Sequence, residues 1–146
     1  VSLDRRCVYE TGDLMGASQK LSDTLEALDE IKPVALNTPS LESSLYDRAD
    51  AMVNELKDLD IKLSGDATRS SRSQTAQVSI RQRVSAGLRG TLSQTYGPTQ
   101  THRQQFEIGQ REFKIVQKQL DQFYAKSYAK LLKDLDKADA PWTPGR

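Results

Sequence analysis

The sequence predicts an all-α fold, and within that class an up-down-up-down four-helix bundle. Three observations carry this reading. Apolar residues recur at steps of three and four through four long segments, Pro and Gly cluster between them, and no segment alternates strongly enough to compete as a strand. Four one-sided helices must bury their stripes against one another, and a bundle is the economical way to do so. The 146 residues suit one domain, with 36% hydrophobic residues supplying a thin core. The expected organisation is an extended lead-in over 1–10 from an upstream domain, a helical bundle over 11–139, and a non-helical tail over 140–146. The chain opens on Val1 rather than Met, which reads as a processed or excised piece.

The first helix is expected from Thr11 to Lys32, with Leu14, Ala17, Leu21, Leu25, Leu28 and Ile31 on one stripe. Thr11 is a plausible N-cap, Asp13 suits the positive end of the helix dipole, and Pro33 should end the pattern. The second helix is announced by Thr38 as cap and Pro39 at the first helical position. Its seam is Leu41, Leu45, Ala49, Met52, Leu56, Leu59 and Leu63, closed by Ser64-Gly65, where glycine suits a left-handed cap.

Residues 66–76 form a polar connection, the best candidate for proteolysis. A weaker third helix follows with Ile80, Val84, Leu88, Leu92 and Thr95 as its stripe. Gly87 and Gly90 lower its intrinsic stability by about 1 kcal/mol each, which points to close packing against a neighbouring helix. Gly97 stops, Pro98 breaks and Thr99 caps the next helix. That last run carries Phe106, Gly109, Phe113, Val116, Leu120, Phe123, Ser127, Leu131 and Leu135. Unbroken it would approach 40 residues, so a kink or break is expected near Lys126, with Ser127 capping a separate short helix. The tail from Ala140 to Arg146 holds two prolines and a glycine, which exclude a helix.

The net charge of +1 conceals a polarised chain. Residues 10–66 carry -8, and residues 67–106 carry six arginines and no acid. The favoured reading sets the arginine-bearing third helix beside acidic helices one and two. An anion or nucleic-acid surface would instead need the arginines clustered on one exposed face. Arg81, Arg83 and Arg89 are the candidate interaction residues, together with Trp142, which either meets a partner or folds back as an apolar plug. Nucleic acid is disfavoured, because Tyr96 is the only aromatic among those arginines before Phe106.

Catalytic and metal chemistry find little support. A di-iron bundle needs Glu-x-x-His from two helices, and His102 is the sole histidine, with no Glu three residues before it. Asp58-Leu59-Asp60 is the nearest fragment of a calcium loop, but the second-helix seam runs through it. Cys7 falls in the lead-in, His102 reads as a solvated helix-start residue, and no nucleophile motif or glycine-rich phosphate loop is present. No catalytic, cofactor-binding or metal residue is assigned, no cofactor is expected, and no run is long enough to span a membrane.

The segment Ala140-Pro141-Trp142-Thr143-Pro144-Gly145-Arg146, after a Lys/Leu-rich helix, resembles the close of large bacterial proteins with sortilin-like, BNR-repeat β-propellers, often labelled glycosyl hydrolases. Leu3-Asp4-Arg5-Arg6-Cys7-Val8 and Thr11-Gly12-Asp13-Leu14 resemble the strand and following segment that lead into their helical region. Gly97-Pro98-Thr99-Gln100 resembles the Pro-Thr start of the next helix. The resemblance implies a non-catalytic, extracytoplasmic helical appendage whose partners are upstream domains of the same protein or another protein. Any glycosidase site would lie outside this chain. A self-associating module, such as a homodimer, is the alternative.

Overall fold

The computed structural model describes residues 3–39, 43–93 and 95–140. Among these residues the fold is all-α, as the periodicity predicts. The elements are α1 (Leu3–Asn37), α2 (Ser44–Ser64), α3 (Ala67–Ser71), α4 (Ile80–Leu92), α5 (Gln100–Gln122), a π-helical turn (Phe123–Tyr128) and α6 (Ala129–Lys137). The chain divides into two compact units. Unit 1 is Val1–Gln19 with Leu59–Lys118, and unit 2 is Lys20–Asp58 with Gln119–Arg146.

The first helix is longer at both ends than its sequence pattern suggested. The expected extended lead-in is helical from Leu3, because fully buried Cys7 starts a stripe that continues through Leu14, Leu21, Leu28 and Ala35 at intervals of seven. Thr11 is therefore not a cap: its hydroxyl donates to the Cys7 carbonyl oxygen inside the helix (2.7 Å). At the other end Pro33 sits within α1, which runs on to Asn37. An interior proline costs about 3 kcal/mol, and burial of Ile31 and Ala35 on either side offsets it. Thr38 closes this helix rather than opening the next, donating to the Val34 carbonyl (2.8 Å). Helix α2 starts at Ser44, beyond Pro39, and the expected Leu41 contact lies outside the described residues. The rest of its seam is buried as anticipated, and Gly65 takes φ +98°.

Unit 1 holds the start of α1, the last turn of α2, α3, α4 and most of α5. Helix α4 is antiparallel to α5, Gly90 facing His102 and Gly87 facing Phe106 at one end, and Val84 facing Gly109 at the other. Ser18 of α1 meets both Ser64 at the end of α2 (3.3 Å) and Arg81 at the start of α4 (3.2 Å). Within unit 1 Ser18 thus joins α1 to the last turn of α2 and to the first turn of α4. Residues 66–76 are not wholly irregular: Asp66 accepts from the Thr68 and Arg69 amides and caps the short exposed helix α3. Helix α4 opens on a capping box in which Ser79 and Gln82 exchange hydrogen bonds.

The α4 stripe differs from the expected one. Ile80, Val84, Gly87 and Gly90 are buried, while Leu92 is 75% exposed and Thr95 lies beyond the helix. The face turned to α5 carries glycine at two of its positions, Gly87 and Gly90. A Cβ on Gly87 would stand 2.7 Å from the Phe106 Cβ, one on Gly90 would run into the His102 ring, and one on Gly109 would stand 3.0 Å from the Arg83 Cβ. All three glycines are close-approach positions. His102 is accordingly half-buried against Gly90 rather than solvated. Its Nδ1 accepts from the Thr99 amide (3.3 Å), while the Thr99 hydroxyl caps the His102 amide (3.4 Å).

Unit 2 packs the second half of α1 against α2 and the π-turn–α6 segment. Lys32 donates to Asp50 (2.6 Å), Arg48 donates to Asp134 (2.8 Å), and Thr24 shares a hydrogen bond with the Tyr124 hydroxyl (3.2 Å). The expected break near Lys126 is a π-turn instead, and no side chain caps it, so Ser127 does not start a new helix. The cause is in the spacing. Stripe positions step by three and four as far as Phe123, then by four each to Ser127, Leu131 and Leu135. Repeated steps of four drift off a 3.6-residue stripe, and one wide turn restores the register. The Ala129 amide reaches the Tyr124 carbonyl, five residues back, and Phe123 stacks on Tyr128 at 6.2 Å and 17°.

Candidate interaction surfaces

The residues singled out from sequence separate in the structure. Arg83 turns into the α4–α5 contact, donating to Gln105 Oε1 (2.7 Å) while its Nε lies 3.2 Å from a Glu112 carboxylate oxygen. That second contact is off hydrogen-bond geometry and acts through charge alone. Arg81 crosses to Ser18, and Arg89 is exposed one helical face away from Arg83. The three do not form one patch. The acid that Arg83 meets belongs to α5. Trp142 lies outside the described residues, as does most of the tail.

Two surfaces went unrecognised in the sequence. The first is the solvent face of α1 in unit 1. Val8 is 60% exposed, Tyr9 70% and Met15 60%, and Gly12 and Gly16 lie between them with nothing within 4 Å of where a Cβ would be. The signal was readable: positions 8, 12, 15 and 16 repeat at helical spacing on the side away from Leu14 and Leu21. Arg5 and Gln19 are the polar residues on that arc, so most of a helix face roughly 17 Å long carries no charge.

The second surface is electrostatic. Unit 1 carries 12 Lys and Arg against 7 Asp and Glu, net +5; unit 2 carries 9 against 13, net -4. In unit 1, Arg111, Lys114 and Lys118 share one exposed face of α5. In unit 2, Asp23, Glu26 and Glu30 share one exposed face of α1.

Titrating groups with resolved shifts all lie in unit 2. The hydrogen bond from Arg48 holds the Asp134 carboxyl below its ordinary value, and the hydrogen bond to Asp50 raises Lys32. Burial raises the phenols of Tyr124 and Tyr128. Lys20 sits 4.1 Å above the Tyr124 ring, a cation–π contact at the edge of this aromatic group.

A shallow depression of about 240 Å³ in unit 1 is lined by Asp60, Ser64, Asp66, Gln77 and Gln82 among others. Its Asp66 carboxylate is already engaged in capping α3 and in an ion pair with Arg69 (3.6 Å). Among the described residues no group of three or more His, Cys, Asp or Glu is arranged to hold a metal. No helix there is long and apolar enough to cross a membrane. No family model, curated protein or solved structure matches the chain.

Proposed function

We propose that this chain is a non-catalytic helical packing module that docks through the α1 face of Val8, Tyr9, Gly12, Met15 and Gly16 onto another domain of the protein to which it belongs. One observation carries the reading. A helix interior tolerates glycine at a cost of about 1 kcal/mol each relative to alanine, yet among the described residues nothing lies within 4 Å of where a Cβ on Gly12 or Gly16 would stand. Glycines four apart between exposed apolar side chains suit close approach by another backbone. The resemblance to the helical region of BNR-repeat proteins supplies the kind of setting, an extracytoplasmic protein with its propeller upstream.

Methionine oxidation tests the proposal with an internal control, since Met15 is 60% exposed and Met52 only 7%. In the isolated chain Met15 should oxidise far faster than Met52. In the longer natural protein Met15 should become protected while Met52 is unchanged. Equal reactivity of Met15 in both settings would remove the docking face.

A further inference from the structure

Besides the apolar face of α1, the molecule carries two exposed charged rows of opposite sign and identical spacing. Arg111, Lys114 and Lys118 stand at i, i+3 and i+7 on α5 in unit 1, and Asp23, Glu26 and Glu30 stand at i, i+3 and i+7 on α1 in unit 2. All six residues are exposed. Each row spans about 10 Å along its helix. None of the three bases forms an ion pair among the described residues, where the salt bridges involve Lys32, Arg48, Arg69 and Arg83. Glu107, one turn before Arg111 on the same face, ends the run of uniform sign.

We propose that this chain associates with a second copy of itself by laying the Arg111–Lys114–Lys118 row of one copy on the Asp23–Glu26–Glu30 row of the other. The argument is charge complementarity at two scales. Locally, equal spacing lets two helices lying side by side in the same direction bring Arg111 to Asp23, Lys114 to Glu26 and Lys118 to Glu30 together. Over the whole unit, a +5 surface meets a -4 surface, and fields of this kind steer encounter and fix register. A nucleic acid would match the basic row alone, whereas a second copy matches both exposed rows in sign and spacing. Because the two rows differ, the contact is heterologous and can repeat from copy to copy. Exposed ion pairs are individually weak, so the association is of low affinity and depends on salt.

The proposal goes beyond the α1 docking face and stands independently of it. Its test is sedimentation velocity on the whole chain over a range of concentrations, at about 20 mM and about 500 mM salt. The wild type should sediment above monomer mass at low salt and as a monomer at high salt. Reversing the basic row (Arg111→Glu, Lys114→Glu, Lys118→Glu) should weaken self-association at least roughly tenfold, and so should reversing the acidic row (Asp23→Lys, Glu26→Lys, Glu30→Lys). An equimolar mixture of the two variants should associate again, because every facing pair is then of opposite sign. Circular dichroism checks that each variant folds. If a triple variant does not, the central pair Lys114→Glu and Glu26→Lys is run in the same mixing design. A wild type that stays monomeric at low salt overturns the proposal, as does a mixture that fails to recover association. Binding of a DNA or RNA oligonucleotide through the basic row by a chain that stays monomeric would assign that row to a polyanion instead. None of these results alters the Met15 oxidation test.

Discussion

The two units hold their helices together by different means. In unit 1 the central contact between α4 and α5 is made by absence: Gly87, Gly90 and Gly109 remove side chains so that Phe106, His102 and Val84 can close on backbone. In unit 2 long side chains bridge the helices beside their buried apolar seams. Lys32 extends to Asp50, Arg48 to Asp134, and Thr24 to Tyr124, beside a group of stacked and edge-on rings. Close contact between helices tolerates little change in volume, whereas long side chains at the surface readjust. Substitutions in unit 1 should therefore fall into two opposite groups according to what each glycine faces, and changes in unit 2 should be graded and dependent on pH.

The largest effect is expected at α4. Gly87→Ala and Gly90→Ala should each destabilise the chain by about 1–3 kcal/mol, net of the gain in helix propensity, as read by chemical denaturation. Phe106→Ala should not relieve Gly87→Ala, because the nearest atom to the added methyl is the Phe106 Cβ, which alanine keeps. If Gly87→Ala were neutral, the close approach would not be what holds this contact. The opposite sign is expected at α1. Gly12→Ala and Gly16→Ala meet open space and should stabilise the isolated chain by up to about 1 kcal/mol each. The same two changes should weaken docking of the module if the α1 face is where it packs.

These positions also mark how far the sequence could be read. The all-α class and the seams of α2 and α5 were legible, because repeated apolar residues have few other uses. The close packing at Gly87 and Gly90 followed from their cost to a helix. Three features were hidden by local signals that tertiary burial overrode. Thr11 resembled a cap and Pro33 a stop, yet Cys7 and Ala35 extend the stripe past both. The run of four-residue steps after Phe123 pointed to an irregularity at the correct place, but Ser127 suggested a new helix where a π-turn absorbs the drift. The exposed faces were harder to read, because apolar periodicity marks what lies inside. Val8, Gly12, Met15 and Gly16 form a pattern only on a helix that begins before Thr11, where the cap signal places its start.

Beyond the glycines, titration of unit 2 sharpens the contrast. Burial raises the phenols of Tyr124 and Tyr128, so both should ionise late in a spectrophotometric titration at alkaline pH. A raised folded value means their contribution is fully present below the ordinary tyrosine value of about 10 and is lost as pH rises through the folded one. Lys32, raised by its bond to Asp50, follows the same sign, with stability lost as pH climbs past the ordinary lysine value. Tyr124→Phe should remove one of the late-ionising groups and the hydrogen bond to Thr24. An unchanged titration in that variant would show that the late phenol is not Tyr124.

The smallest effect belongs to Asp134, and it runs in the opposite direction along the pH scale. The hydrogen bond from Arg48 lowers its carboxyl below the ordinary value of 3.8, so the folded state holds the proton less tightly than the unfolded one. Its contribution is present above that ordinary value and is lost as pH falls through the lowered one. The pair is partly exposed on both sides, which keeps the effect modest and sensitive to salt. Arg48→Met keeps much of the stem's packing and removes the charge. It should lower the melting temperature slightly at neutral pH, and the difference from wild type should vanish at acid pH, where Asp134 is protonated in both proteins. A difference that persisted undiminished in acid would mean that Arg48 acts through its methylene stem rather than through its charge.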